Sequence, residues 1–225
     1  MVPPAGYLPG VRALCDKYGI VYIADEVMAG FGRTGKWFAH EHFGVTPDLV
    51  TFAKGVNSGY VPLGGVIINE AISRTFDDRV YPGGLTYSGH PLACAAATAT
   101  IDFMAKNNVV EHAFDLGERV IRPELLTLQE RHPSIGEVRG LGVMFAIELV
   151  TDRATKEPLA PYGQSSPAMG QVLAACRDEK LLIFANYHRV HVVPPGIEGR
   201  FRPGAAKSTF PHVVAVGRLV PVKRF

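Results

Sequence analysis

Leu49-Val50-Thr51-Phe52-Ala53-Lys54-Gly55 is a short apolar run that ends abruptly in a lysine and a glycine. An earlier run of the same kind, Ile20-Val21-Tyr22-Ile23-Ala24-Asp25-Glu26, ends in two carboxylates. Each reads as a strand buried on both faces, because a few consecutive apolar residues with β-branched members fit a covered strand. Function in an open α/β sheet collects where such strands end. The two runs therefore predict Asp25 and Lys54 side by side at one rim. Spacing alone allows equally that both are solvated loop residues.

Working outward, Gly10 to Tyr18 reads as the end of an amphipathic helix with Val11, Leu14 and Cys15 as its stripe, stopped by Gly19. Residues 28–46 carry glycines and aromatics and read as a loop over the rim, where glycine permits close backbone approach. Gly64 to Ile68 reads as a further strand, followed by a short helix and a glycine-rich loop up to residue 90. His90 to Ala105 predicts a helix with Leu92, Ala95, Ala96, Ala99 and Phe103 on one face. Val109 to Arg131 predicts a second helix interrupted by Pro123. Val138 to Val150 reads as one strand or as two joined at Gly140 to Gly142. Gln164 to Glu179 reads as a helix, and Lys180 to Asn186 and Val190 to Val193 as strands.

Composition bounds the function. In 225 residues, 47% apolar content supports a packed core of one or two domains. A net charge of +2 supplies no long-range field for nucleic acid or an anionic membrane. No apolar run approaches the roughly 18 residues of a membrane span, and the first 15 residues do not resemble a secretion signal. Cys15, Cys94 and Cys176 are far apart and read as reduced thiols of a cytoplasmic protein, with Cys94 packed among small residues. His40 and His42 fit a surface loop, and no cluster suggests a metal.

Five blocks, in one order, give a resemblance to a known family. They are Ile23-Ala24-Asp25-Glu26-Val27, Gly30-Phe31-Gly32-Arg33-Thr34-Gly35, Pro47-Asp48-Leu49 through Lys54-Gly55, Pro62-Leu63-Gly64-Gly65, and Gly84 through Ala93. Together they resemble the class III pyridoxal-phosphate aminotransferases, nearest to the ω-amino-acid:pyruvate branch. The likeness runs from near residue 2 to about Pro195. It implies an α/β fold of type I among pyridoxal-phosphate enzymes, with a mostly parallel sheet and a small α+β domain. The expected division is 1–132 for the C-terminal part of the large cofactor-binding domain, 133–195 for the small domain, and 196–225 for an atypical basic tail. Members are about twice this length, and their phosphate-binding helix terminus and the ring that stacks on the pyridoxal find no counterpart here. The chain is therefore expected to be a C-terminal fragment that is inactive alone.

The resemblance assigns roles residue by residue. Lys54 matches the Schiff-base lysine, which must also carry a proton; Lys36 instead follows a glycine in a polar loop. Asp25 matches the aspartate that faces the pyridine nitrogen and keeps it protonated. Glu26, pointing the other way on a strand, reads as a hydrogen-bonded turn carboxylate. Val27 resembles the aliphatic support beneath the ring, although core packing also explains a valine there. Thr86 resembles the threonine that reaches the cofactor phosphate of a neighbouring subunit, which implies a homodimer. Arg33 reads as a structural ion pair with a loop acid, or as a substrate contact. Arg189 is a substrate candidate, because its planar fork suits a carboxylate or sulfonate.

After Pro195 the likeness stops. Residues 196–225 hold six Lys/Arg, one acid and three prolines, with no helical stripe, as a shifted reading frame or a natural basic tail would give. The implied reaction moves an amino group from an amino acid or ω-amino acid to a keto acid such as pyruvate. An aminomutase or decarboxylase on the same fold, or an inactive remnant, stays open at this level.

Overall fold

The computed structural model describes residues 2–164, 166–186 and 189–192. The basic tail lies outside the described residues. Helix α1, Tyr7–Tyr18, ends as expected at Gly19, which takes the left-handed conformation (φ 63°) and closes its N–H on the Cys15 carbonyl. Strand β1, Ile23–Asp25, runs parallel to β2, Leu49–Phe52, with Ile23 opposite Leu49 and Asp25 opposite Thr51. Strand β3, Gly65–Ile68, pairs antiparallel with β2. This gives a three-stranded sheet in the order β1-β2-β3, in which one of the two pairings is parallel.

Helix α2, Glu70–Ser73, is capped by Asn69, whose Oδ1 accepts from the Ile72 N–H at 2.9 Å. Helix α3 spans Pro91–Lys106, with proline in its first turn, where its missing N–H has no cost. Helices α4, Val109–Leu116, and α5, Arg122–Arg131, are joined by a π turn, Gly117–Ile121. A second sheet comes next. Strand β4, Ile135–Leu141, forms an antiparallel hairpin with β5, Met144–Asp152. The short β6, Glu157–Pro158, adds to β5. Helix α6, Pro167–Asp178, is capped by Ser166, and strands β7, Phe184–Asn186, and β8, Arg189–Val192, complete the order β4-β5-β8-β7. Its core gathers Ile135, Ile147, Leu149 and Met169, with Leu125 of α5 and Leu173 of α6 against them.

Three expectations need correction. The run from Ile20 to Glu26 yields only three paired residues, and Ile20, Val21 and Ile23 are exposed, because among the described residues no strand lies on the far side of β1. The buried positions of α3 are Ala93, Ala97 and Met104, while Leu92 and Phe103 are exposed. Helix α3 packs on the turn at 54–57, the buried residues of its first half are the small Ala93 and Ala97, and Cys94 is exposed. The interruption expected at Pro123 takes the form of the π turn Gly117–Ile121 just before it, which accommodates the ring in the first turn of α5.

Backbones meet closely where the two sheets join. A Cβ on Gly117 would lie 1.7 Å from the Gly142 carbonyl oxygen, and one on Gly142 2.3 Å from the Thr34 carbonyl carbon. The Val143 N–H donates to the Arg33 carbonyl at 3.1 Å, fixing the β4–β5 hairpin to the loop after β1. Arg122 grips Glu118 with two hydrogen bonds, reaches the Gly140 carbonyl at 2.8 Å, and lies over the Phe145 ring.

Asp48, just before β2, holds the first sheet together. It accepts from the Tyr22 N–H at 2.7 Å, from Arg12 Nη1 of α1 at 2.8 Å and from Asn69 Nδ2 at 2.9 Å. The Tyr22 N–H first, and Arg12 second, hold its carboxyl below the ordinary aspartate range. A depressed folded value means that this stabilisation is complete above the unfolded value and is lost as pH falls through the folded one. Asp48→Ala, which removes three bonds worth roughly 1 kcal/mol each, is expected to cost about 2–3 kcal/mol at neutral pH in urea unfolding. Fluorescence of the single tryptophan, Trp37, reads the transition. Asp48→Asn is expected to flatten the loss of stability below the ordinary aspartate range. An unchanged acid slope in that variant would assign the effect to another carboxylate.

Candidate active site

The parallel pairing of β1 and β2 sends two chain segments off the same edge of the sheet. From β1 come Asp25 and Glu26, whose side chains divide as alternation on a strand requires. Asp25 is exposed. Its Oδ1 accepts from the Val27 N–H at 3.1 Å and from Thr51 Oγ1 at 3.2 Å. Its Oδ2 has no hydrogen bond among the described residues. Glu26 is 3% exposed and turns inward. Its two oxygens accept from the N–H groups of Ala39 (3.0 Å) and His40 (2.8 Å), at the start of the 3₁₀ turn Ala39–Phe43. Glu26 is thus a structural carboxylate that closes the loop after β1. His40 and His42 also serve this loop, through the carbonyls of Val45 and Thr34 at 2.9 Å each.

From β2 comes Lys54, the first residue of the 3₁₀ turn Lys54–Asn57. It is exposed and has φ +47°, a left-handed conformation that is strained for a residue with a side chain. The turn is held from several directions. Val56 and Asn57 are buried, Asn57 Nδ2 donates to the Val61 carbonyl, and the Gly59 N–H returns to Asn57 Oδ1 at 3.2 Å. Helix α3 packs on its other side. Gly55 has to be glycine, because a Cβ there would meet the Phe31 Cβ at 2.9 Å. Phe31 stacks edge-on with Phe38 and Phe52, centroids 5.4 and 5.6 Å apart, and so lays the loop after β1 on the lysine turn.

The remaining sequence-derived candidates are placed differently. Val27 is half-buried, and its N–H orients Asp25. Thr86 is exposed in the loop before α3, and its side chain makes no hydrogen bond among the described residues. Register sets Arg189 on β8 opposite Glu148 of β5, the acid that also pairs with Arg139. The side chain of Arg189 lies outside the described residues. The loop-acid partner expected for Arg33 is absent among the described residues, and burial lowers the Arg33 pKa. Thr51 escaped the sequence reading. Its signal was a hydroxyl inside an apolar run, but only the pairing of β1 with β2 shows that it meets Asp25. Against this edge lies a cavity of about 340 Å³ lined by Tyr7, Leu8, Val11, Ile23 and Asp25 among others.

Comparison with known proteins gives one family. The sequence model of the class-III aminotransferases matches residues 1–196. The taurine–pyruvate aminotransferase of Bilophila wadsworthia is 44% identical over 166 residues, 71% of this chain and 36% of the relative. The 4-aminobutyrate aminotransferase of Escherichia coli (strain K12) is 42% identical over 181 residues, 80% of this chain and 40% of the relative. Among solved structures, the taurine:2-oxoglutarate aminotransferase of Bifidobacterium kashiwanohense, in complex with PLP and glutamate, superposes with a TM-score of 0.83 at 47% identity. That match covers 87% of this chain and 44% of the other. The chain thus spans about two fifths of the length of the relatives it matches.

The two neighbouring carboxylates are separable by experiment. Glu26→Ala strands two backbone N–H groups and is expected to cost about 2–4 kcal/mol in urea unfolding followed by Trp37 fluorescence. Asp25→Ala, at an exposed position, is expected to stay within about 1 kcal/mol. The reverse order would overturn the division of roles.

Proposed function

The chain belongs to the class III aminotransferases, and from that premise we propose that it carries the lysine and the aspartate of a pyridoxal-phosphate-dependent transaminase. The proposal rests above all on the parallel register of β1 and β2, which sends Asp25 and the Lys54 turn off one edge. The donor set fits the cofactor at two points. Asp25 offers an open carboxylate oxygen, the acceptor that a protonated pyridine nitrogen needs. Lys54 offers an exposed primary amine, the group that condenses with an aldehyde.

Bound there, pyridoxal phosphate supplies the electron sink for the carbon that carries the transferred amino group. The chain's residues supply position and proton movement. With the cofactor bound, Asp25 Oδ2 would accept from the protonated ring nitrogen, while Val27 N–H and Thr51 Oγ1 orient the carboxylate through Oδ1. Lys54 Nζ would take the proton from the substrate carbon and return it. Strain at Lys54 is kept by the glycine-packed turn and α3, which fixes where the amine starts from. Val27 would support the ring, and Thr86, exposed on its loop, would hold the phosphate of a cofactor in a second copy of the chain. Arg189 is the proposed contact for a substrate carboxylate or sulfonate. The donor is an α- or ω-amino acid and the acceptor a keto acid such as pyruvate, as the names of the matched aminotransferases suggest. Three free cysteines suit a cytoplasmic location. Among the described residues no helix is long and apolar enough to cross a membrane.

Two measurements test this. Borohydride reduction in the presence of pyridoxal phosphate is expected to fix the label on the peptide containing Lys54, and Lys54→Asn, which tolerates a positive φ, is expected to lose it. A label spread evenly over the surface lysines in both proteins rejects the lysine assignment. Secondly, the 225-residue chain alone is expected to show no donor-saturable amino transfer to pyruvate. Asp25, Lys54 and Thr86 all stand in water, and electrostatic help to a reaction depends on excluding water. Saturable turnover that vanishes in Lys54→Asn would show these residues to be sufficient.

A further inference from the structure

Phe31 has φ +57°, and among the described residues it is the only aromatic residue in the left-handed region. That conformation is unfavourable for a bulky side chain, and glycines stand on both sides of it, at 30 and 32. The chain therefore keeps a ring where a third glycine would be free of strain. A strained backbone persists only when its neighbours over-determine it.

The side chain of Phe31 brackets Lys54. Its ring meets Phe52, two residues before the lysine, edge-on with centroids 5.6 Å apart. Its Cβ lies against Gly55, one residue after the lysine, where an added Cβ would come within 2.9 Å of it. Lys54, between these two contacts, has φ +47°. Two strained residues, one from each segment that leaves the sheet edge, thus brace each other.

Phe31 is in turn held from the second sheet. Its N–H donates to the Trp37 carbonyl at 2.6 Å, the Gly32 N–H to the Lys36 carbonyl at 3.1 Å, and the Gly35 N–H to the Gly32 carbonyl at 2.9 Å. These bonds close residues 31–37 into a loop with Arg33 and Thr34 at its tip. The tip meets the turn between β4 and β5. There the Val143 N–H donates to the Arg33 carbonyl, and a Cβ on Gly142 would strike the Thr34 backbone at 2.3 Å. On α4, a Cβ on Gly35 would come within 2.8 Å of Phe114. Backbone packed on backbone has no soft side chain to absorb a displacement, so a shift at residues 142–143 moves the loop with it.

We propose that Phe31 is a positioning residue for Lys54, and that the 31–37 loop is a strut through which the β4–β5 turn sets the backbone of the lysine. The proposal rests on the assignment of Lys54 as the cofactor lysine and adds what aims it. Aim matters because a misplacement of about 1 Å can cost a reaction about 100-fold.

The test uses the isotope-labelled 225-residue chain. The Cα and Cβ chemical shifts of Lys54 report its φ, and borohydride reduction with pyridoxal phosphate reports its amine. Phe31→Tyr, which keeps the Cβ and the ring, is expected to preserve both signals. Phe31→Gly is expected to move the Lys54 shifts out of the positive-φ range and to slow its labelling by about tenfold. Gly142→Ala, which leaves Phe31 and the first sheet unaltered in sequence, is expected to do the same from a distance. Amide exchange in β1 and β2 is expected to stay unchanged in Gly142→Ala, which separates aim from stability. Should Phe31→Gly loosen the first sheet, Gly142→Ala decides alone. Lys54 shifts that stay in the positive-φ range in Gly142→Ala, while those of Thr34 move, overturn the strut. Faster exchange throughout β1 and β2 in both variants assigns Phe31 to the core alone and also overturns it. A wild-type chain that takes no pyridoxal label at Lys54 refutes the proposed function, and the chemical shifts then decide the strut by themselves.

Discussion

The first sheet depends on one carboxylate. Asp48 binds the entrance of β1 through Tyr22, α1 through Arg12 and the exit of β3 through Asn69. Backbone bonds repeat two of these links, from Asp48 N to the Tyr22 carbonyl and from Asn69 N to the Asp48 carbonyl. Short strands of three and four residues contribute few ladder bonds. A charged acceptor shared by three elements compensates, because hydrogen bonds to an ionised group are stronger than neutral ones. The register of β1 on β2 derives from this anchor, and the site derives from the register.

At the other end of β1 and β2 the chain sorts neighbouring residues to opposite uses. Glu26 is committed to the Ala39 and His40 amides, whereas Asp25 keeps one oxygen open. The lysine turn is strained and over-determined: Lys54 has a positive φ, while Asn57, Gly55 against Phe31, and α3 fix the rest of the turn. Strain survives only where the surroundings hold it, and such positions gather at functional sites. The same glycine strategy joins the two sheets, where Gly117, Gly142 and Thr34 bring three backbones within contact.

What the sequence by itself determined was local. The ends of the strands at Asp25 and before Lys54, the stop of α1 at Gly19, the start of α3 next to His90 and the inward role of Glu26 each rest on a few adjacent residues. Propensity, caps and alternation act over that range, so they can be read from a single chain. The family was legible for the same reason, since its blocks are contiguous. Only the tertiary structure decided which faces are covered. Leu92 and Phe103 promised a buried stripe on α3, but the turn it meets admits Ala93 and Ala97 instead. Thr51 meets Asp25 across 26 positions, and Asp48 meets Arg12 across 36. Those contacts come from register and packing between distant segments, which local residue preferences do not encode.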